Sequence, residues 1–159
     1  MRRAEREITA INEIEQILER AQVCRLALFN GDYPYIIPMC FGYDLHSDRL
    51  ELYFHCAAKG KKLDLIKENN NAAFEIDNLT GIKPGDIACS WSAYYECITG
   101  TGTIDIINGI DKLTGLNRIT RKYMHTTAEQ KYSEQMLNSV IILKLTADEF
   151  CCKANRADD

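Results

Sequence analysis

Leu50-Glu51-Leu52-Tyr53-Phe54-His55-Cys56-Ala57-Ala58-Lys59-Gly60-Lys61-Lys62-Leu63-Asp64-Leu65 changes its period part-way along. Up to His55 the period is two. Leu50, Leu52 and Phe54 alternate with Glu51, Tyr53 and His55, as in a strand with one apolar face. From Leu63 the spacing turns helical, with Ile66 and Lys67 following. One histidine, one cysteine, one glycine and three lysines fall within the eight residues 55–62. A strand that stops, a glycine turn and a helix opening beneath clustered ammonium groups make an anion site. The first helical N–H groups are free there, and the lysines add full charge. Lys59, Lys61 and Lys62 read equally well as a solvated loop, the usual state of a charge run.

Working outward toward the N-terminus, residues 1–8 read as a polar arm. Thr9 is placed to cap a helix that runs to about Arg20, with Ile11, Ile14, Leu18 and Ala21 on one face. Val23–Phe29 is a strand, nearly all apolar except Arg25, and Asn30-Gly31-Asp32 is a turn. A second strand spans Tyr33–Tyr43. Pro38 within it marks a bulge, an edge or a break, because proline donates nothing to a ladder. Asp44–Asp48 is a second turn, and Arg49–Cys56 is the third strand.

Toward the C-terminus, the helix after Gly60 ends near Glu68 at Asn69-Asn70-Asn71. Ala72–Asp77 is a strand, Asn78–Gly85 a loop, Ile87–Trp91 strand-like and Tyr95–Ile107 a longer strand. Gly100 and Gly102 share one face of that strand, which implies a close approach or a bulge. Asp111 caps a helix to Met124, and a second helix starts at Thr126 and runs to about Met136. Val140–Leu145 is the last strand, and residues 146–159 form a polar tail. The sum is six or seven strands, mostly antiparallel, with three or four helices. Strands and helices do not alternate throughout, which disfavours a doubly wound sheet. The fold class is mainly β (α+β): a closed or split β-barrel with helices outside, in a single domain over residues 1–159.

Composition narrows the function. In 159 residues, 46% are hydrophobic and 26% charged, which is globular. A net charge of -4 disfavours a general nucleic-acid surface and suits a local basic patch for a small anion. The seven cysteines are odd in number and form no C-x-x-C pair, and no metal-ligand spacing joins them to the three histidines. No disulfide framework and no metal are expected, and the compartment implied is a reducing cytoplasm. No apolar run approaches the ~20 residues of a membrane span, and residues 1–7 lack a signal-peptide core.

Several residues stand out chemically. Arg25 either has an anionic partner or alternates outward to solvent. His55 is a structural hydrogen-bonder or a proton donor beside the lysines. Cys56 points to the opposite face from His55, so the two do not form a nucleophile pair. Trp91, with Ser90 and Tyr94 near it, is core, a stacking platform or a subunit contact.

In order and spacing these segments resemble the pyridoxamine 5′-phosphate oxidase-like FMN-binding split-barrel superfamily, and within it the nitroimidazole-resistance reductase-like proteins. The matching residues are Arg25–Leu28, Pro34–Pro38, Phe41–Tyr43, Leu52–Ala57, Gly60–Leu65, Cys89–Ser92 and Gly100–Gly102, within a resemblance covering about residues 1–145. It implies a homodimer with FMN at the subunit interface. Lys61 and Lys62 match the basic pair that grips the FMN phosphate, with Lys59 nearby, and Arg25 matches a first-strand arginine that serves the cofactor. Pro38 and Met39 match the segment bordering the flavin ring. Phe54 and His55 match strand-end contacts to FMN, and His55 also matches a histidine proposed to act in catalysis. Ser90 and Trp91 belong to a motif that approaches from the partner chain. Glu96 stands where many relatives carry arginine, Ser90 where asparagine is frequent, and the basic tail is replaced by residues 151–156. The implied activity is FMN-dependent reduction of a small electron-poor acceptor, such as a nitroimidazole or nitroaromatic, with NAD(P)H or another donor. A flavin carrier or redox sensor without turnover, or a haem-binding split barrel, are the alternatives.

Overall fold

Eight antiparallel strands form one sheet in the computed structural model, which describes residues 3–47, 49–128 and 130–157. The elements in chain order are β1 (Glu7–Ile8), α1 (Ile11–Arg20), β2 (Cys24–Leu28), β3 (Tyr35–Met39), β4 (Gly42–His46) and β5 (Arg49–Ala57). They continue as α2 (Lys61–Glu68), β6 (Asn71–Lys83), β7 (Ser92–Ile107), α3 (Gly109–Met124), α4 (Glu134–Ser139) and β8 (Val140–Asn155). The sheet order is β3-β2-β6-β7-β8-β5-β4, and the short β1 pairs with β8.

The order explains the shape. Its two ends, β3 and β4, are consecutive in the chain and separated only by Cys40 and Phe41. Met39 and Gly42 therefore lie within about 11 Å of each other. The sheet must curl until its edges meet, yet no ladder joins β3 to β4 among the described residues. The result is a barrel split at that corner. Tyr123 of α3 pins the corner: its hydroxyl accepts the Phe41 N–H (3.1 Å) and donates to the Gln22 carbonyl (2.6 Å).

Period-two alternation fills the barrel. Leu26, Leu28, Leu50, Leu52, Phe54, Ile76, Ile98, Ile104, Leu143 and Leu145 all point inward. Helix α1 adds Ile14, Ile17 and Leu18 to this core, and α2 adds Leu63, Leu65 and Ile66. Each fully buried side chain of this kind contributes about 1.5–3 kcal/mol. Helix α3 lies outside, over Tyr53 and Ile142 on the other face of β5 and β8. Gly115 permits this, since a Cβ there would lie 2.7 Å from Ile142. Lys122 of α3 is only 3% exposed, and its ammonium donates to the Leu18 and Glu19 carbonyls (2.8 and 3.0 Å). It thereby satisfies the last turn of α1, although burial lowers its pKa.

The structure corrects several local expectations. Thr9 does not cap α1. The helix opens after Ala10 with no side-chain cap, and the Glu13 N–H reaches the Ala10 carbonyl instead. The strand expected over Tyr33–Tyr43 is two strands broken at Cys40 and Phe41, and Pro38 lies within β3 on the sheet edge, where a missing donor is tolerated. The turn expected from Asp44 begins only at Ser47, because β4 continues to His46; Asp48 lies outside the described residues. Strand β6 runs through the expected loop to Lys83 by way of a bulge at Leu79/Gly81. Residues Ala88–Ser90 form a short 3₁₀ turn where a strand was expected.

At the C-terminal side, Asn108 and not Asp111 precedes α3. The helix expected from Thr126 is the shorter α4, capped by the Ser133 hydroxyl, with Glu129 outside the described residues. Strand β8 extends to Asn155, through most of what was read as a tail. The 16-residue β7 offers it a ladder from Ile142 to Asn155. The glycine pair behaves as expected. A Cβ on Gly100 would lie 2.5 Å from the Glu149 carbonyl, one on Gly102 would lie 2.1 Å from that of Thr146, and the β7–β8 register shifts between Thr101 and Gly102. Among the described residues no helix is long and apolar enough to cross a membrane.

Candidate functional site

The opening stretch folds as a strand, a turn and a helix. Strand β5 ends at Ala57, and Gly60 (φ 146°) turns the chain into α2. That dihedral is where glycine is favoured, and a Cβ there would meet nothing within 4 Å, so the turn is open. No side chain caps α2. Its first backbone bond runs from the Leu63 N–H to the Gly60 carbonyl at 2.9 Å. Among the described residues Lys59, Lys61 and Lys62 have no carboxylate partner. The Lys61 ammonium lies 5.1 Å from the centre of the Tyr35 ring. Lys62 is half-buried and lies beside Cys56, whose thiol pKa is pushed up by burial and partly restored by that lysine. Three unpaired cations around an uncapped helix start have the chemistry of a phosphate cradle.

The other expected residues fall into separate places. His55 is exposed on the outer face of β5, opposite Ile142, while Cys56 is buried on the inner face. Phe54 and Met39 point into the core, so a ligand outside the barrel meets them through their backbone. Arg25 and Pro38 are cross-strand partners on the exposed face of β2 and β3. The Arg25 guanidinium is held by Glu75 (2.9 Å) and by Asp77, both on β6. Its hydrogen bonds to Asp77 and Glu75, which accept, raise its pKa. Ser90 closes its own turn, donating to the Ile87 carbonyl at 2.7 Å, and Trp91 is 57% exposed. Trp91 stands at the far end of β6 from α2. That strand has 13 residues, or roughly 40 Å. Within one chain the lysines and Trp91 therefore do not share a site.

Glu96 is 4% exposed and accepts from Arg20 (2.8 Å) and Arg156 (3.1 Å), so the acid that replaces a family arginine is locked into an ion-pair network. Sequence reasoning missed Tyr35, Glu75 and Asp77. The period of β6 already placed the two acids on one face, whereas nothing local marked Tyr35 as a neighbour of Lys61. All seven cysteines are free thiols. Among the described residues no group of His, Cys, Asp and Glu is arranged for a metal.

A sequence model of the pyridoxamine 5′-phosphate oxidase family matches residues 11–154. The chain belongs to this family. Similar solved structures agree with the assignment. A protein from Bacteroides thetaiotaomicron, described as a candidate 5-nitroimidazole antibiotic resistance protein, is 27% identical with a TM-score of 0.76. The match covers 93% of this chain and 86% of that one. A FAD and heme binding protein from Mycobacterium smegmatis is 22% identical with a TM-score of 0.80, over 97% of this chain and 76% of that one. A flavocytochrome from Azotobacter vinelandii is 15% identical with a TM-score of 0.77, over 100% and 75%. At these last two identities the likeness is one of fold alone. No curated protein matched. In the pyridoxamine 5′-phosphate oxidase family this chain keeps the split barrel and places lysines at its α2 opening with no carboxylate partner among the described residues.

Proposed function

We propose that the chain is an FMN-binding oxidoreductase that reduces a small electron-poor acceptor, such as a nitroimidazole or nitroaromatic. The observation that carries the reading is the uncapped start of α2, ringed by lysines with no carboxylate partner among the described residues. A phosphate fits it in charge and in donors. Lys61 and Lys62 would hold that phosphate, with Lys59 adding charge. Arg25 and the backbone around Pro38, Met39 and Phe54 would border the ring. Ser90 and Trp91 would come from the partner in a homodimer. Bound FMN would supply the electron transfer, accepting from NAD(P)H or another donor. His55, exposed on the outer face of β5, would deliver a proton from a ring nitrogen to the reduced nitro oxygen.

The deciding experiment is an absorption spectrum of the purified protein before and after adding FMN. Flavin bands that stay with the protein through gel filtration are the expected result. A protein that retains no flavin sinks the reading. The heme-binding and flavocytochrome structures motivate a second reading, in which a Soret band appears on adding haem and flavin is not retained. FMN retained with no acceptor reduced under a nicotinamide donor would instead mark a flavin carrier or sensor.

A further inference from the structure

We infer that Tyr35 is a positioning residue for the phosphate clamp. Its ring face holds the Lys61 ammonium at the open start of α2 before any ligand arrives. The inference rests on the FMN reading above and extends it to a residue from a different strand. The Lys61 Nζ lies 5.1 Å from the Tyr35 ring centroid, inside the ~6 Å range of a cation–π contact. Lys61 is the first residue of α2, it is exposed, and among the described residues no carboxylate competes for it.

An exposed lysine has wide rotamer freedom, and an anion that captures it must freeze that freedom. A ring that already holds the ammonium removes part of the cost. Tyr35 is fitted for this. It opens the edge strand β3, pairs with Leu28 of β2 and packs its half-buried ring against the core. The ring is therefore anchored while Lys61 is not. Lys62 needs no such partner, since it is already half-buried beside Cys56. Among the described residues the Tyr35 hydroxyl has no hydrogen-bond partner, so ring and hydroxyl can be separated by mutation.

The test measures dissociation constants for FMN and for riboflavin, which lacks the phosphate, by quenching of flavin fluorescence. The variants are Tyr35→Phe, Tyr35→Leu, Lys61→Met and the double variant Tyr35→Leu with Lys61→Met. Tyr35→Phe is expected to bind FMN within about two-fold of wild type. Tyr35→Leu weakens FMN by about two- to five-fold and leaves riboflavin unchanged. In the Lys61→Met background the same leucine has no further effect, since the two residues act as one unit. Tyr35→Met fills the space with no ring face and supplies the same comparison if leucine prevents folding.

Three results overturn the inference while leaving FMN binding intact. A Tyr35→Phe loss as large as the leucine loss makes the hydroxyl the contact. An equal loss for FMN and riboflavin makes Tyr35 a scaffold residue. An unchanged FMN constant in Tyr35→Leu removes its role. A wild-type protein that binds no FMN removes the FMN reading and this inference with it.

Discussion

Strand β5 carries a charged cluster at each end, and the two are built on opposite plans. At the Arg49 end the charges of Asp44, Arg49, Glu51, Arg118 and Lys144 are all paired. Glu51 is only 7% exposed and accepts from Arg49, from Lys144 (2.8 Å) and from the Tyr53 hydroxyl (2.9 Å). Asp44, directly opposite on β4, is held by Arg118 at 2.8 Å. At the Ala57 end three lysines have no carboxylate among the described residues. Nine residues, or about 30 Å, separate a cluster that satisfies itself from one that does not. Charges paired within the chain specify register and packing, whereas charges left unpaired at a helix start are available to a ligand.

The contrast breaks first, and furthest, at Lys62. Lys62→Glu is expected to weaken FMN binding by about 100-fold or more, because a gripping charge is replaced by a repelling one. Flavin fluorescence titration checks this, and an unchanged constant rejects Lys62 as a phosphate ligand. His55→Gln is expected to slow acceptor reduction by about 100-fold while FMN affinity stays within about three-fold. Steady-state rates across pH read this out, and a variant with wild-type turnover removes the proton-delivery role.

At the opposite end the loss falls on stability. Glu51→Gln is expected to cost about 2–3 kcal/mol in urea unfolding and to leave FMN affinity alone. Burial disfavours the Glu51 charge, but hydrogen bonds from Lys144 and Tyr53 hold its carboxyl below the ordinary 4.5. A carboxyl with a depressed folded pKa contributes its full stabilisation above the unfolded value. It loses that stabilisation as pH falls through the folded one. Wild-type stability should therefore drop between about pH 5 and pH 3 more steeply than that of Glu51→Gln. Equal slopes in urea midpoints would show the cluster is not coupled to folding. The smallest effect belongs to Arg25, whose ion pairs with Glu75 and Asp77 are half-exposed. Arg25→Gln should change unfolding free energy by under about 1 kcal/mol. A larger loss would move Arg25 into the self-satisfied class.

What the sequence revealed followed local physics. The strand, turn and helix over residues 50–65 were visible because period and glycine placement are properties of neighbours in the chain. A closed or split barrel followed from the strand count and short links, and the family resemblance implied the split form. What stayed hidden depended on remote partners. Strand β8 outran its apolar run because β7 alongside it is equally long. The 3₁₀ turn at Ala88–Ser90 is closed by a serine hydroxyl, which no periodicity reports. Arg25 was visible as an oddity, yet its two carboxylates lie on β6, 50 and 52 residues away. Tyr35 came to Lys61 only through curvature of the sheet.

That curvature has one further consequence. The outermost strands of the sheet are sequence neighbours, tied across Cys40 and Phe41. An open sheet of this length would present two unpaired rims to other chains, the usual route to intermolecular strand pairing. Here one short corner, buttoned down by Tyr123, tethers the two rims to each other, although no ladder pairs them among the described residues. Protease nicking between Met39 and Gly42 would cut that tether and leave each rim held only by its inner neighbour, β2 or β5.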